Sequence, residues 1–267
     1  MASCKKNTAT NTGVVPGDYK LDYGDSVFYL TNSTSDYIIT PKQIAAGKYY
    51  GFPEGIQIDE NTGAINVSKG ETGLRYRISF LPDGKTDSIF KEIIISGINF
   101  LDGFYVLTGD DSIAHPVYNA RLTNPVPGVN NGSVFDEGSN CNNNGCTVNT
   151  ADGEINLAET VRNGVFGTTP SNNARQEFQM NYRVNDKSGK AANTIRVKLY
   201  YFNTMADVSQ EAFDIIASRE GDIFGLNAFH MPPQTAQNNS LNPIAQTTGA
   251  SKPAKPRPPC IFIVGNR

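Results

Sequence analysis

One short segment occurs twice in the chain, and it restricts the fold more than any other feature. Ile58-Asp59-Glu60-Asn61-Thr62-Gly63-Ala64-Ile65-Asn66-Val67-Ser68 returns in degenerate form as Val148-Asn149-Thr150-Ala151-Asp152-Gly153-Glu154-Ile155-Asn156-Leu157-Ala158. Gly63 and Gly153 stand 90 positions apart, and at that offset the Gly, the Ile, the Asn and the next apolar residue all coincide. Each copy reads strand, tight turn, strand. Asn61 and Gly63 tolerate positive φ, and the flanks alternate apolar and polar with period two. A spacing this long fits two copies of one small β domain, since solenoid repeats run ~20–50 residues.

Composition agrees. At 267 residues the chain holds two domains of ordinary size. Its charged fraction is only 18%, while Gly, Asn, Thr and Ser abound. That is the profile of a β-rich, loop-rich protein from outside the cytoplasm, poor in long helices. A net charge of −3, with no long basic run, argues against a nucleic-acid partner. No apolar stretch reaches the ~18 residues that a spanning helix needs. Trp is absent, so any sugar-stacking surface would fall to Tyr or Phe.

Taken in order, residues 1–18 read as a polar, flexible tether. Met1-Ala2-Ser3-Cys4-Lys5-Lys6 resembles the processing site of bacterial lipoproteins, in which small residues precede a Cys that becomes the lipidated first residue. The resemblance implies lipidation at Cys4 and a membrane partner reached through that anchor. The alternative is an unstructured terminus with an incidental Cys. Residues 19–98 read as the first domain, with short strands around Val27-Phe28-Tyr29-Leu30, Tyr37-Ile38-Ile39, Arg75 to Phe80 and Phe90 to Ile95. Its Pro53, Gly55, Ile56-Gln57-Ile58-Asp59, Thr62-Gly63 and Ile65 resemble the bacterial putative-Ig and cadherin-like families. That resemblance implies an immunoglobulin-like sandwich and leaves the ligand open.

Residues 99–230 read as a second domain of the same kind, joined at Ser96 to Phe100 with Gly97 as a pivot. It contains a long irregular region, His115 to Gly145, and two alternating strands, Phe178 to Val184 and Ile195 to Tyr201. Val208, Ala212, Ile215 and Ile216 fall at helical spacing, with Asp207 or Ser209 as N-cap. Residues 231–267 read as a Pro/Gln/Asn-rich tail ending in an apolar strand, Cys260 to Val264. Such a strand must pair, either with an open edge of its own chain or with a neighbouring chain.

The candidate chemistry is sparse. Cys141 and Cys146 are spaced to bridge the long loop by a disulfide in an oxidising compartment; free thiols are the alternative, and a metal site lacks a second ligand pair. Asp59-x-Asn61-x-Gly63 has the oxygen density of a calcium loop, but turn geometry accounts for it without a closing Glu. Asp110-Asp111, at the junction side of the second domain, is a second acidic pair weighed in the same way against calcium, while the adjacent carboxylates Asp136-Glu137 read as solvated acids. His115 and His230 sit outside any catalytic arrangement, and no phosphate loop or metalloprotease motif occurs. The chain is therefore read as a non-enzyme without metal or cofactor. Asp25-Ser26-Val27, Asp87-Ser88-Ile89 and Asp111-Ser112-Ile113 resemble the O-glycosylation sequon of exported Bacteroidota proteins, which implies modification at Ser26, Ser88 and Ser112.

The expectation is an all-β protein: two tandem immunoglobulin-like β-sandwiches, one short helix and a C-terminal strand on a long tether. Its expected role is an exported, lipid-anchored module of the outer membrane, on its periplasmic or surface face. It would present loops, above all Asn119 to Cys146, to a protein or glycan partner. Two rivals stand beside it. One is a spacer or assembly subunit pairing through its terminal strand. The other is an accessory glycan binder of a polysaccharide-uptake system, with Tyr49, Tyr50, Tyr200 and Tyr201 as stacking surface.

Overall fold

The computed structural model describes residues 19–108, 111–219 and 257–265. It is all-β, with two sandwiches in tandem. The first module contains β1 (Val27–Phe28), β2 (Ile38–Ile39), β3 (Gly47–Phe52), β4 (Gln57–Ile58), β5 (Ile65–Asn66), β6 (Leu74–Pro82) and β7 (Ile89–Ile95). Its larger sheet runs β1-β7-β6-β3 and its smaller one β2-β5-β4. Period-two patterning decides which face packs: Leu74, Tyr76, Ile78 and Phe80 of β6 are buried while Arg77 between them is exposed. They meet Tyr49, Ile65, Ile93 and Ile95 in one core.

Next come β8 (Ile98–Phe100), β9 (Gly103–Val106), β10 (Ile113–Ala114), β11 (Pro116–Tyr118), β12 (Val134–Phe135), β13 (Thr147–Val148), β14 (Ile155–Asn156), β15 (Ala174–Arg183), β16 (Asn193–Phe202) and β17 (Cys260–Val264). The smaller sheet of the second module is β10-β14-β13, and the larger is β12-β15-β16-β17-β9. Three short helices accompany them: α1 (Asn140–Asn143), α2 (Leu157–Arg162) and α3 (Gln210–Ala217). Only α3 is legible as helical spacing. Its N-cap is Ser209, whose Oγ accepts from Ala212 N.

The repeat is exact in the backbone hydrogen bonds of its turn. Asp59 N donates to Ala64 O and Gly63 N to Asp59 O; 90 positions on, Asn149 N donates to Glu154 O and Gly153 N to Asn149 O. Both glycines have positive φ (70° and 83°), and a Cβ on either would run into an aromatic ring, Tyr49 in the first module and Phe135 in the second. Ile65 and Ile155 occupy matching central strands, fully buried. After them the chain turns helical in both copies, as a 3₁₀ turn at Val67–Lys69 and as α2. The strand expected to continue through Leu157 ends at Asn156, because the Asn156 side chain accepts from Glu159 N and caps a helix.

The modules differ at one place. In the first, β1 lies directly beside β7, parallel to it, with Val27 opposite Ile94. In the second, β9 and β16 occupy the corresponding places, but β17 lies between them, parallel to both: Lys198 to Phe202 pair with Cys260 to Val264, of which Ile261 to Val264 pair in turn with Gly103 to Val106. The terminal strand therefore closes onto its own chain, as an interior strand. Every residue of β17 is buried.

Within Ser96 to Phe100, read from the sequence as a junction pivoting at Gly97, Ile98–Phe100 form β8, which pairs antiparallel with β11. Gly97 leaves no room for a side chain, since a Cβ there would fall 2.5 Å from the Tyr182 hydroxyl. The fully buried Tyr182 hydroxyl contacts Thr72 Oγ1 at 2.8 Å and accepts from Ile98 N and Asn193 Nδ2. Ser96, at the end of the first module, donates to Asp186 of the second at 3.2 Å, and Tyr118 donates to the same carboxylate at 2.7 Å.

Candidate binding site

The long region from His115 to Gly145 is ordered, and one buried carboxylate organises its end. Asp136 is only 2% exposed, with φ at 51°. Its Oδ1 accepts from Cys141 N at 2.8 Å, and its Oδ2 accepts from Asn142 N at 2.9 Å and from Asn142 Nδ2 at 2.8 Å. Asn142 passes the order on, accepting from Val148 N and donating to Val148 O. The adjacent acids thus part ways. Asp136 is a buried acceptor rather than a solvated acid, while exposed Glu137 pairs with Arg183 at 2.8 Å.

This knot holds the wall of a cleft of about 890 Å³. Asn140 and Asn142 to Gly145 line it together with Asn163 to Val165, just past α2, and Gln176 to Phe178 of β15. Four of these carboxamides are held in place. Asn140 donates to Gln179 O, Asn144 to Asn140 O, Asn163 to Gly145 O and Gln176 to Val165 O. Each carboxamide carries two donor hydrogens and an acceptor oxygen. The cleft therefore offers paired donors and acceptors at fixed positions, with Glu177 as its acid, itself near Arg196 and Lys198. Most ligand pockets are lined by apolar groups; this one suits a ligand studded with hydroxyls. The sequence signal was the run of Asn around the cysteines, read there only as irregular loop.

The cysteines frame this wall. Cys141 and Cys146 are buried free thiols, side by side, with Cys146 N donating to Cys141 O at 3.0 Å. The bridge expected between them is not formed in this structure. Contact with the Cys146 thiol, then burial, pushes the Cys141 thiol far above its ordinary range. Cys260, without an evident partner in the sequence, is buried within β17, and its N donates to Asp102.

No family model matches this chain, and no curated protein does. Among solved structures, Drosophila N-cadherin EC1-4 aligns over 65% of this chain and 47% of its own, at 12% identity and a TM-score of 0.22. Human protocadherin-24 EC1-2 aligns over 68% of this chain and 95% of its own, at 8% identity and 0.24. A SusE-like surface located polysaccharide binding protein of the Bacteroides thetaiotaomicron heparin utilisation locus aligns over 66% of this chain and 32% of its own, at 10% identity and 0.23. This chain therefore spans less than half of the N-cadherin and SusE-like chains. Scores this low assign no family, so site and function rest on the chain's own geometry.

The other candidates fare unequally. Asp59 Oδ1 accepts from Asn61 N, Thr62 N and Thr62 Oγ1, so the turn itself engages that oxygen. No cluster of metal-ligating side chains occurs among the described residues. His115 lies 2.8 Å from Glu154 on the surface, and His230 falls outside the described residues. So do Cys4 and Asp110, while Asp111 accepts from Val106 N. Ser26 is exposed; Ser88 and Ser112 are half-buried. Tyr49, Tyr200 and Tyr201 are buried and Tyr50 half-buried, so the Tyr pairs form no stacking surface. Tyr200 and Tyr201 are both covered because the outer face of β16, expected to meet solvent, lies under α3 and beside Phe262. No helix among the described residues is long and apolar enough to cross a membrane.

Proposed function

We propose that this protein is a non-enzymatic binding module of the cell exterior whose asparagine-lined cleft takes a hydroxyl-rich ligand, a glycan. The observation that carries this reading is the set of cleft carboxamides on Asn140, Asn144, Asn163 and Gln176, each held by a hydrogen bond before any ligand arrives. Groups fixed in advance lose little freedom on binding, which raises affinity without adding contacts. The lipoprotein-like start supports the exterior location: a lipid on Cys4 would hold the module at the outer membrane, at ~0.8 kcal/mol per buried CH₂. In that compartment Cys141 and Cys146 would join, and Ser26, the best exposed of the three Asp-Ser sites, would be the first to carry a sugar.

The test is titration calorimetry of the full chain against a panel of neutral and acidic oligosaccharides, with Asn143→Ala/Gln176→Ala as the variant. At least one glycan should bind, and the double substitution should weaken it by about 10-fold or more, each lost hydrogen bond contributing ~1 kcal/mol. No binding at millimolar glycan, or binding untouched by the variant, would overturn the reading. Intact mass from the native membrane checks the anchor independently: a diacylglyceryl-type lipid on Cys4 is the expected result.

A further inference from the structure

The two modules provide an internal comparison. The first shows that this fold closes with its opening strand directly on its closing strand, β1 on β7. The second holds the same two strands apart by one strand's width and fills the gap from elsewhere in the chain. Ile261 and Ile263 enter the core between the two sheets, and Cys260, Phe262 and Val264 enter a second core under α3. The Phe262 ring is surrounded by Phe104, Tyr200 and Phe202, with centroids at 5.2, 4.8 and 6.5 Å. Five consecutive side chains are thus read, on both faces.

The lead into the strand is gripped separately. Cys260 N and Arg219 Nη1 both donate to Asp102 Oδ1, Arg219 also donates to Pro258 O at 2.8 Å, and Arg257 N donates to Glu71 of the first module at 3.2 Å. Residues 219 and 258 therefore lie side by side although 39 positions separate them. The strand is placed by its slot and its grip, so the connection between α3 and β17 need not dictate which chain supplies it.

We propose that the gap between β9 and β16 is a strand-receiving site that is also filled in trans, by the Cys260–Val264 segment of a second copy of this chain. The exchanged form buries the same side chains as the closed monomer. The balance is therefore set by the effective concentration that the chain's own connection gives the strand, against the concentration of other copies. Dilute protein stays closed, and copies crowded on a surface trade strands. Exchange that is not reciprocal leaves one slot and one strand unsatisfied at the ends, and extends into a row of molecules.

The experiment uses the full chain with a protease site placed between residues 231 and 250, cut after folding, so that the strand is held without covalent help. A labelled peptide of residues 257–267 should replace it, and the same peptide carrying Phe262→Ala should compete about 100-fold less well or worse. In parallel, two differently tagged uncut chains, mixed near millimolar concentration and warmed to just below the melting temperature, should yield mixed-tag dimers on cooling. Refusal of the peptide, indifference to Phe262→Ala, or the absence of mixed-tag species would each overturn the proposal. Glycan binding by the cut protein is measured separately, so failure here leaves the cleft reading standing.

Discussion

At the scale of single residues, the fold depends on a few polar groups at turns. Asp136 satisfies three N–H donors inside the loop, and an unpaired buried donor costs ~1–3 kcal/mol. Asp136→Ala should therefore lower stability by about 3 kcal/mol in urea, with an unchanged slope, and Asp136→Asn by less. Asp59 and Asn149 hold equivalent places in the repeat, but only Asp59 titrates. Hydrogen bonds from Thr62, first its N–H and then its hydroxyl, lower the Asp59 pKa from 3.8. A depressed carboxyl stabilises the fold above its unfolded value and loses that contribution as pH falls through the folded value. Asp59→Asn should thus be less stable than the natural chain at neutral pH, and the gap should close as acid titration passes below pH 3.8. The turn itself was legible, since Asn, Thr and Gly in that order allow few backbone paths. The buried place of Asp136 was not, because an Asp beside a Glu carries no mark of which one turns inward.

At the scale of elements, strands were easier to find than their partners. Alternation exposes β6, β15 and β16 in the sequence because each keeps a solvent face for part of its length. β17 is buried on both faces, so its pattern is a bare apolar run, which states that it pairs and is silent about where. Helices α1 and α2 escaped notice because each is too short for a periodic signal. The cleft wall is the other case: an Asn run without period reads as loop until a carboxylate is found beneath it. Its thiols carry a further expectation. Joining Cys141 to Cys146 closes a six-residue ring, and a loop of that size is worth about 2 kcal/mol by the chain-entropy account. Oxidised protein should melt higher than reduced protein by that margin, and the reduced thiols should resist alkylation until the chain unfolds. Equal melting of the two forms would show the ring to be strained.

At the scale of the whole molecule, the repeat predicts two domains but not how firmly they are joined. The seam contains no run of linker residues; it contains a strand pair, a glycine with no space for a methyl group and a shared tyrosine hydroxyl. Tyr182→Phe removes the acceptor used by Ile98 N and Asn193 Nδ2. Calorimetry should show one transition for the natural chain and two separated ones for the variant; a single shifted peak would mean that the hydroxyl stabilises without coupling. The grip on the terminal strand adds a second tie, because Arg257 N reaches Glu71 of the first module while Arg219 and Asp102 hold the same lead from the second. Burial raises the Glu71 carboxyl above its usual 4.5 and lowers Arg257 to about 10. The place of β17 also sets the order in which the molecule can be finished. A ribosome makes β9 and β16 long before Cys260, which follows the end of α3 by 43 positions. The first module's sheets are complete while synthesis continues, but the larger sheet of the second has to wait until Val264 has been made. A product cut short before that point would carry a finished domain beside one with an open seam, the kind of surface that chaperones and proteases find first.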